Sequence, residues 1–216
     1  MPGMARLRRF SAALLTLCCL AATNAGAAGA DPAPAELSRA ARVACEDGRR
    51  APDRATRLAD FERGKSLALQ AVKIDERNAE AHFALFCNMG ELMRIDGESI
   101  SSVFQLRRLM GELDKTLAID PGHTDALSSK GQLLVRLPRL LGGDVQQGEA
   151  MLRQVVQKDP NAFTSRLALA KTCEARGDRD EAMAFATRAL QIAREQGRAD
   201  KVAEAQATLA ELRASR

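Results

Sequence analysis

Apolar residues recur along most of this chain at intervals of three and four, the spacing that lines one face of an α-helix. Short breaks containing Gly, Pro and Asp separate the runs. The pattern predicts a helix from Glu36 to Gly48 with Leu37, Ala41, Ala44 and Cys45 on one side, ended by Ala51-Pro52-Asp53 because proline removes a donor and clashes with the preceding turn. A second helix extends to about Ile74. A third, Asn78 to Ile95, carries a broad stripe including Phe83, Leu85, Phe86, Met89 and Leu92, and Asp96-Gly97 breaks it.

The fourth expected helix, Glu98 to Ile119, places Leu106, Leu109, Met110, Leu113 and Leu117 on one face. Asp120-Pro121-Gly122 ends it, with Gly122 read as a C-terminal cap. Ala126 to Leu137 form the fifth, Pro138 to Asp144 an enlarged turn, and Asp144 caps a sixth that runs to Asp159-Pro160. Two more helices within 161–193 hinge at Gly177-Asp178, where Asp178 and Glu181 have the spacing of a capping box. A ninth, Arg198 to Ala214, turns Val202, Ala205, Leu209 and Leu212 inward. No stretch alternates as a strand would, and the short connections favour antiparallel helix pairs.

Gly177-Asp178, Glu181-Ala182, Ala189-Leu190, Leu169-Ala170 and the closing Ile119-Asp120-Pro121 and Lys158-Asp159-Pro160 together resemble tetratricopeptide repeats. Ala170, Ala182 and Ala189 stand where the helices of such a hairpin approach most closely. The likeness is clear over 161–193, fair over 122–160 and weak over 36–120. Asp120 to Asp159 spans 39 residues and Asp75 to Asp120 spans 45, against about 34 in an ordinary repeat. Ala81-His82-Phe83 and the segment Leu137 to Asp144 also resemble exported bacterial proteins with degenerate repeats, including accessory subunits of TRAP transporters.

The resemblance implies an all-α, right-handed α-solenoid of about four stacked antiparallel hairpins plus a C-terminal capping helix, because lone hairpins cannot bury their apolar stripes. It also implies a concave groove lined by the first helix of each pair, with Glu80, Phe83, Cys87, Asp125, Ser128, Gln132, Arg136, Lys171 and Glu174 as groove candidates. The function that follows is a scaffold for protein–protein interaction. Its alternative is a transport accessory that binds a small ligand or a substrate-binding protein, which predicts an enclosed cavity among the third to fifth helices.

The first thirty residues stand apart. Arg6, Arg8 and Arg9 precede the uncharged run Phe10 to Thr23 and the small-residue stretch Asn24 to Ala30. That is the order of a cleavable signal peptide, with cleavage after Ala27 or Ala30. The uncharged run is shorter than the about 20 residues needed to span a bilayer. Residues 31–35 read as a linker and 36–216 as the repeat domain. The expected location is the periplasm; lipidation at Cys18, within Leu15-Thr16-Leu17-Cys18, is the second reading and the one route to a membrane.

Without its three leader arginines the chain keeps 29 of its 32 basic side chains against 28 acidic ones. A nearly neutral body without Trp or Tyr lacks the electrostatic and stacking means of a nucleic-acid binder. Cys45, Cys87 and Cys173 are odd in number and widely spaced, which reads as small buried hydrophobes and leaves a Cys45 to Cys87 bridge open. His82 and His123 have no second ligand at metal-binding spacing, since Cys87 lies five residues from His82 and faces elsewhere. Gly142-Gly143-Asp144 lacks the lysine and strand of a phosphate loop, and Ser128-Ser129-Lys130 matches no nucleophile arrangement. No enzyme, cofactor or metal is expected, and the expected partner is a protein or peptide.

Overall fold

The computed structural model describes residues 33–96 and 102–214; the leader and its cleavage and lipidation sites lie outside them. Among the described residues, nine α-helices and one 3-10 turn follow in order. They are α1 (Pro34–Arg50), α2 (Arg54–Ile74), α3 (Ala79–Asp96), α4 (Ser102–Ile119), α5 (Thr124–Arg136), α6 (Val145–Lys158), α7 (Phe163–Arg176), α8 (Arg179–Glu195) and α9 (Ala199–Ala214), with the 3-10 turn at Arg139–Leu141. No helix among them is long and apolar enough to cross a membrane.

Packing follows chain order. Each helix lies against the next, and the first helices of neighbouring pairs also touch: α1 with α3, α5 with α7, α7 with α9. The hairpins are layered rather than interleaved, as a helical-repeat stack requires. The predicted faces are the buried ones. Leu37, Ala41, Ala44 and Cys45 of α1 are buried, as are Ala182, Ala186, Ala189 and Ala193 of α8 and Ala205, Leu209 and Leu212 of α9.

One turn recurs three times. After α2, α4 and α6 respectively, Asp75, Asp120 and Asp159 each accept a hydrogen bond on the carboxylate from the backbone N–H two residues on, at Arg77, Gly122 and Asn161. In each copy the residue three beyond the aspartate returns its N–H to the aspartate carbonyl at 3.2 Å. This Asx-turn fixes the chain reversal between one pair and the next.

The helix starts then diverge. Asn78 Oδ1 accepts from Ala81 N, His123 Nδ1 accepts from Ala126 N, and Ala162 makes no side-chain cap. Gly122 therefore starts the approach to α5 rather than capping α4. At the other end Gly177, at φ +90°, closes α7: its own N–H reaches Glu174 O, and Asp178 N–H reaches Cys173 O. That pair of bonds is the Schellman closure, for which glycine's freedom at positive φ is suited.

Asp144 caps α6 as expected, accepting from Gln147 N at 2.9 Å. Asp178 does not cap α8 through its side chain, and the expected capping box with Glu181 is absent. Arg176 takes the Asp178 carboxylate at 2.6 Å, and Arg153 takes that of Glu181. An arginine fork outcompetes a backbone N–H for a carboxylate because both partners are charged.

The cysteines also depart from the bland reading. Cys45 and Cys87 form a disulfide between α1 and α3, while Cys173 is free and buried. Near this bridge Asn88 Nδ2 donates to Ala41 O across the same two helices.

Helices α5 and α6 meet backbone to backbone at Gly131 and Gly148. A methyl at Gly131 would lie 3.0 Å from the Gly148 carbonyl oxygen and 2.9 Å from Leu152 Cγ. Gly131→Ala is expected to lower unfolding free energy by about 1–3 kcal/mol through overpacking. Gly111→Ala, in α4 with nothing within 4 Å of the added carbon, is expected to raise it by up to about 1 kcal/mol through helix propensity. Urea titrations followed by circular dichroism check both; equal effects of the same sign would refute the close-approach account.

Candidate functional site

The face shared by the first helices divides into two regions of different character. At the N-terminal end the side chains are committed to one another. Arg42 of α1 reaches Glu80 of α3 at 3.2 Å and Asp125 of α5 at 2.9 Å. Its guanidinium lies over the Phe83 ring, 4.4 Å from the centroid, a cation–π contact. The His123 ring stands 4.8 Å from that of Phe83, and His123 Nε2 is 3.2 Å from Glu80.

Four of the groove candidates are thereby accounted for. Glu80 and Asp125 are ion-paired, Phe83 is 4% exposed, and Cys87 is 6% exposed and bonded to Cys45. Phe83 and Cys87 belong to the core rather than to an open lining, because α3 is wrapped by α1, α2 and α4 and has little free surface. Phe83, Leu113 and Ala126 form one apolar cluster among the third to fifth helices. His82 is buried there too, with Nδ1 2.6 Å from Glu112 of α4 and Nε2 3.0 Å from the Glu76 carbonyl.

At the C-terminal end the face opens. A groove of about 800 Å³ runs across α5, the start of α6, α7 and α9. It is lined by the predicted Gln132, Arg136 and Lys171, over a floor that includes Val135, Leu167, Ala168 and Ala175. A smaller depression of about 250 Å³ beside it contains Asp125 and Ser128. Ser128 shares a 2.8 Å hydrogen bond with Ser165 of α7 and receives one from Gln132 Nε2 at 3.1 Å, so these hydroxyls tie α5 to α7. Glu174 is half-buried on α7 and outside the groove lining.

Under the groove lies a charge network that sequence reasoning did not assemble. Arg153 of α6 clasps Glu181 of α8 through two 2.8 Å bonds and reaches Glu149 at 2.7 Å. Arg176 of α7 bonds Glu149 at 2.5 Å and Glu181 at 3.2 Å. Only the Glu149–Arg153 pair, four apart on one helix, carried a local signal; the remaining bonds cross between helices.

The network shifts its members in consistent directions. Burial opposes ionisation of Glu149, but hydrogen bonds from Arg176 and Arg153 more than reverse it and hold the carboxyl below its ordinary value. The hydrogen bonds from Arg153 and then from the Cys173 thiol hold Glu181 down at about 2. Burial, and then its bond to Glu181, push the Cys173 thiol up to about 11, so it donates as a neutral S–H at 3.2 Å. Glu149, Cys173 and Glu181 offer three donor atoms within 4.8 Å of one another. Both carboxylates are already satisfied by guanidinium groups.

Residues 139–202, from the 3-10 turn into α9, match the family model of the tetratricopeptide repeat. That segment carries the tetratricopeptide-repeat pattern. The fold has counterparts in a thermophilic TPR protein of Thermus thermophilus, at 20% identity over 82% of this chain and 81% of that one, TM-score 0.60. MamA of Desulfovibrio magneticus, from its residue 41 to the end, aligns at 15% identity over 85% and 95% of the two chains, TM-score 0.52. A tetratricopeptide-repeat protein of Parabacteroides merdae aligns at 16% identity over 83% and 58%, TM-score 0.52. Comparison with curated proteins gives no match. Together these carry the repeat architecture well beyond the matched segment, into helices whose sequence resembles the repeat weakly.

The Glu181 carboxyl has a folded pKa below its ordinary 4.5, so its ionised form stabilises the fold fully above that value, and the gain is lost as pH falls toward about 2. Glu181→Gln is expected to lower the melting temperature at neutral pH. The difference from the unchanged chain should shrink progressively below about pH 4.5. A difference constant from pH 7 to pH 3 in thermal melts would count against the network.

Proposed function

We propose that this protein is an exported interaction scaffold that holds a segment of a partner protein in the groove across α5, α7 and α9. The observation that carries this is the groove itself, an open, partly apolar channel on the first-helix face with Gln132, Arg136 and Lys171 on its walls. Helical-repeat stacks present such extended surfaces for binding, and a channel with an apolar floor and polar walls suits a peptide or helix. The N-terminal end of the face, closed by Arg42, Glu80, Phe83 and Asp125, positions this channel rather than extending it.

A photocrosslinking amino acid at Lys171 is expected to trap the partner in native cells, while the same group at Thr187, exposed on α8, traps little. Equal or greater yield from Thr187 would place binding on the opposite face and overturn the reading.

Export is supported by the order of the leader, with Arg6, Arg8 and Arg9, the run Phe10 to Thr23 and the small residues to Ala30. The Cys45–Cys87 bridge supports it independently, since structural disulfides persist in oxidising compartments. N-terminal sequencing of the mature protein from the periplasm of a bacterial host is expected to begin at Ala28 or Asp31. A chain that keeps Met1 would refute export, and one that begins with a lipid-modified Cys18 would replace the soluble form with an anchored one.

A further inference from the structure

We propose that the segment bound in the groove is an acidic, amphipathic peptide whose carboxylates meet Arg136 and Lys171; this rests on the scaffold reading above. The charges on the groove walls are not balanced. Of the lining carboxylates, Glu149 is engaged by Arg153 and Arg176, and Glu204 is engaged by Lys201 at 2.8 Å. Arg176 in turn is spent on Glu149, Asp178 and Glu181. Arg136 and Lys171 line the same groove, and neither has a carboxylate partner among the described residues. Two uncompensated positive charges thus face a concavity that the network beneath it has left without free negative charge.

That arrangement selects an occupant. Exposed cations along the wall of an open groove favour anionic ligands and speed their approach. The floor asks for apolar contact: Leu167 is buried, Val145 stays 49% exposed at the rim, and Ala168 is small enough to leave room above α7. A peptide with Asp or Glu alternating with Leu, Ile or Met along a helical or extended face satisfies both demands. A basic segment would meet Arg136 and Lys171 with like charge, which disfavours it. A nucleic-acid strand would find two cations and no aromatic platform.

The test is selection from a displayed library of random peptides of about twelve residues against the whole purified chain. Ala168→Trp, which fills the groove, separates groove-bound peptides from the rest, and fluorescence anisotropy measures the selected peptides in solution. Expected are Asp- and Glu-rich sequences with interspersed aliphatic residues, whose binding Ala168→Trp abolishes. R136E/K171E should weaken them by about tenfold or more and turn a second selection toward Lys and Arg. The control R107E/R108E, on exposed positions of α4, should leave affinity unchanged. Circular dichroism of each variant confirms an intact helical fold. Groove-dependent peptides with no acidic bias, or indifferent to R136E/K171E, would overturn the charge assignment and leave the scaffold standing. If no selected peptide responds to Ala168→Trp, both fall.

Discussion

The whole arrangement depends on how closely paired helices can approach. Gly131 and Gly148 bring α5 and α6 into backbone contact. Ala170, Ala182 and Ala186 share one apolar cluster between α7 and α8, and Ala41, Ala68 and Ala84 another among α1, α2 and α3. At such distances dispersion contacts run along the backbones themselves, and a single extra carbon has no space to enter. Tight pairing within a hairpin leaves the larger side chains to fill the gaps between hairpins. Phe163, Leu167 and Ile192 do so beside Ala205 of the closing helix. Each pair then supplies the next with a surface it cannot do without.

Most of the architecture was legible in the sequence because it rests on local signals. Three-and-four spacing located every helix among the described residues within a few positions of its place, and Asp75, Asp120 and Asp159 marked each passage from one pair to the next. The errors arose where a side chain had a choice of partner. Asp178 and Glu181 have capping-box spacing, yet Arg176 and Arg153 draw them away. His123, which showed only the lack of a second metal ligand in the sequence, caps α5 through Nδ1 and meets Glu80 through Nε2. Those outcomes depend on arginines and acids from other helices, whose proximity follows from the stack.

The candidate site was legible in part for the same reason. Gln132, Arg136 and Lys171 reach the groove because they lie on first-helix faces that remain open. Phe83 and Cys87 occupy corresponding faces, but α1 covers them: Cys45 bonds one and Arg42 lies over the other. The division between a closed and an open end is a tertiary fact, set by Arg42 gathering Glu80, Phe83 and Asp125 around itself. Beneath the open end, Arg153 and Arg176 neutralise the acids that would otherwise repel a carboxylate-bearing visitor.

The Cys45–Cys87 bridge joins α1 to α3 and so locks the first hairpin to the second. Among the described residues α9 has no such covalent tie, and a stack held by neighbour contacts frays from whichever terminus is cheapest to release. Unravelling therefore has a direction, beginning at α9 and running back toward the stapled helices. Since α9 supplies Glu204 to the groove wall, the first step of disassembly also removes one side of the groove, and a molecule seated there would act as a clasp on the loose end.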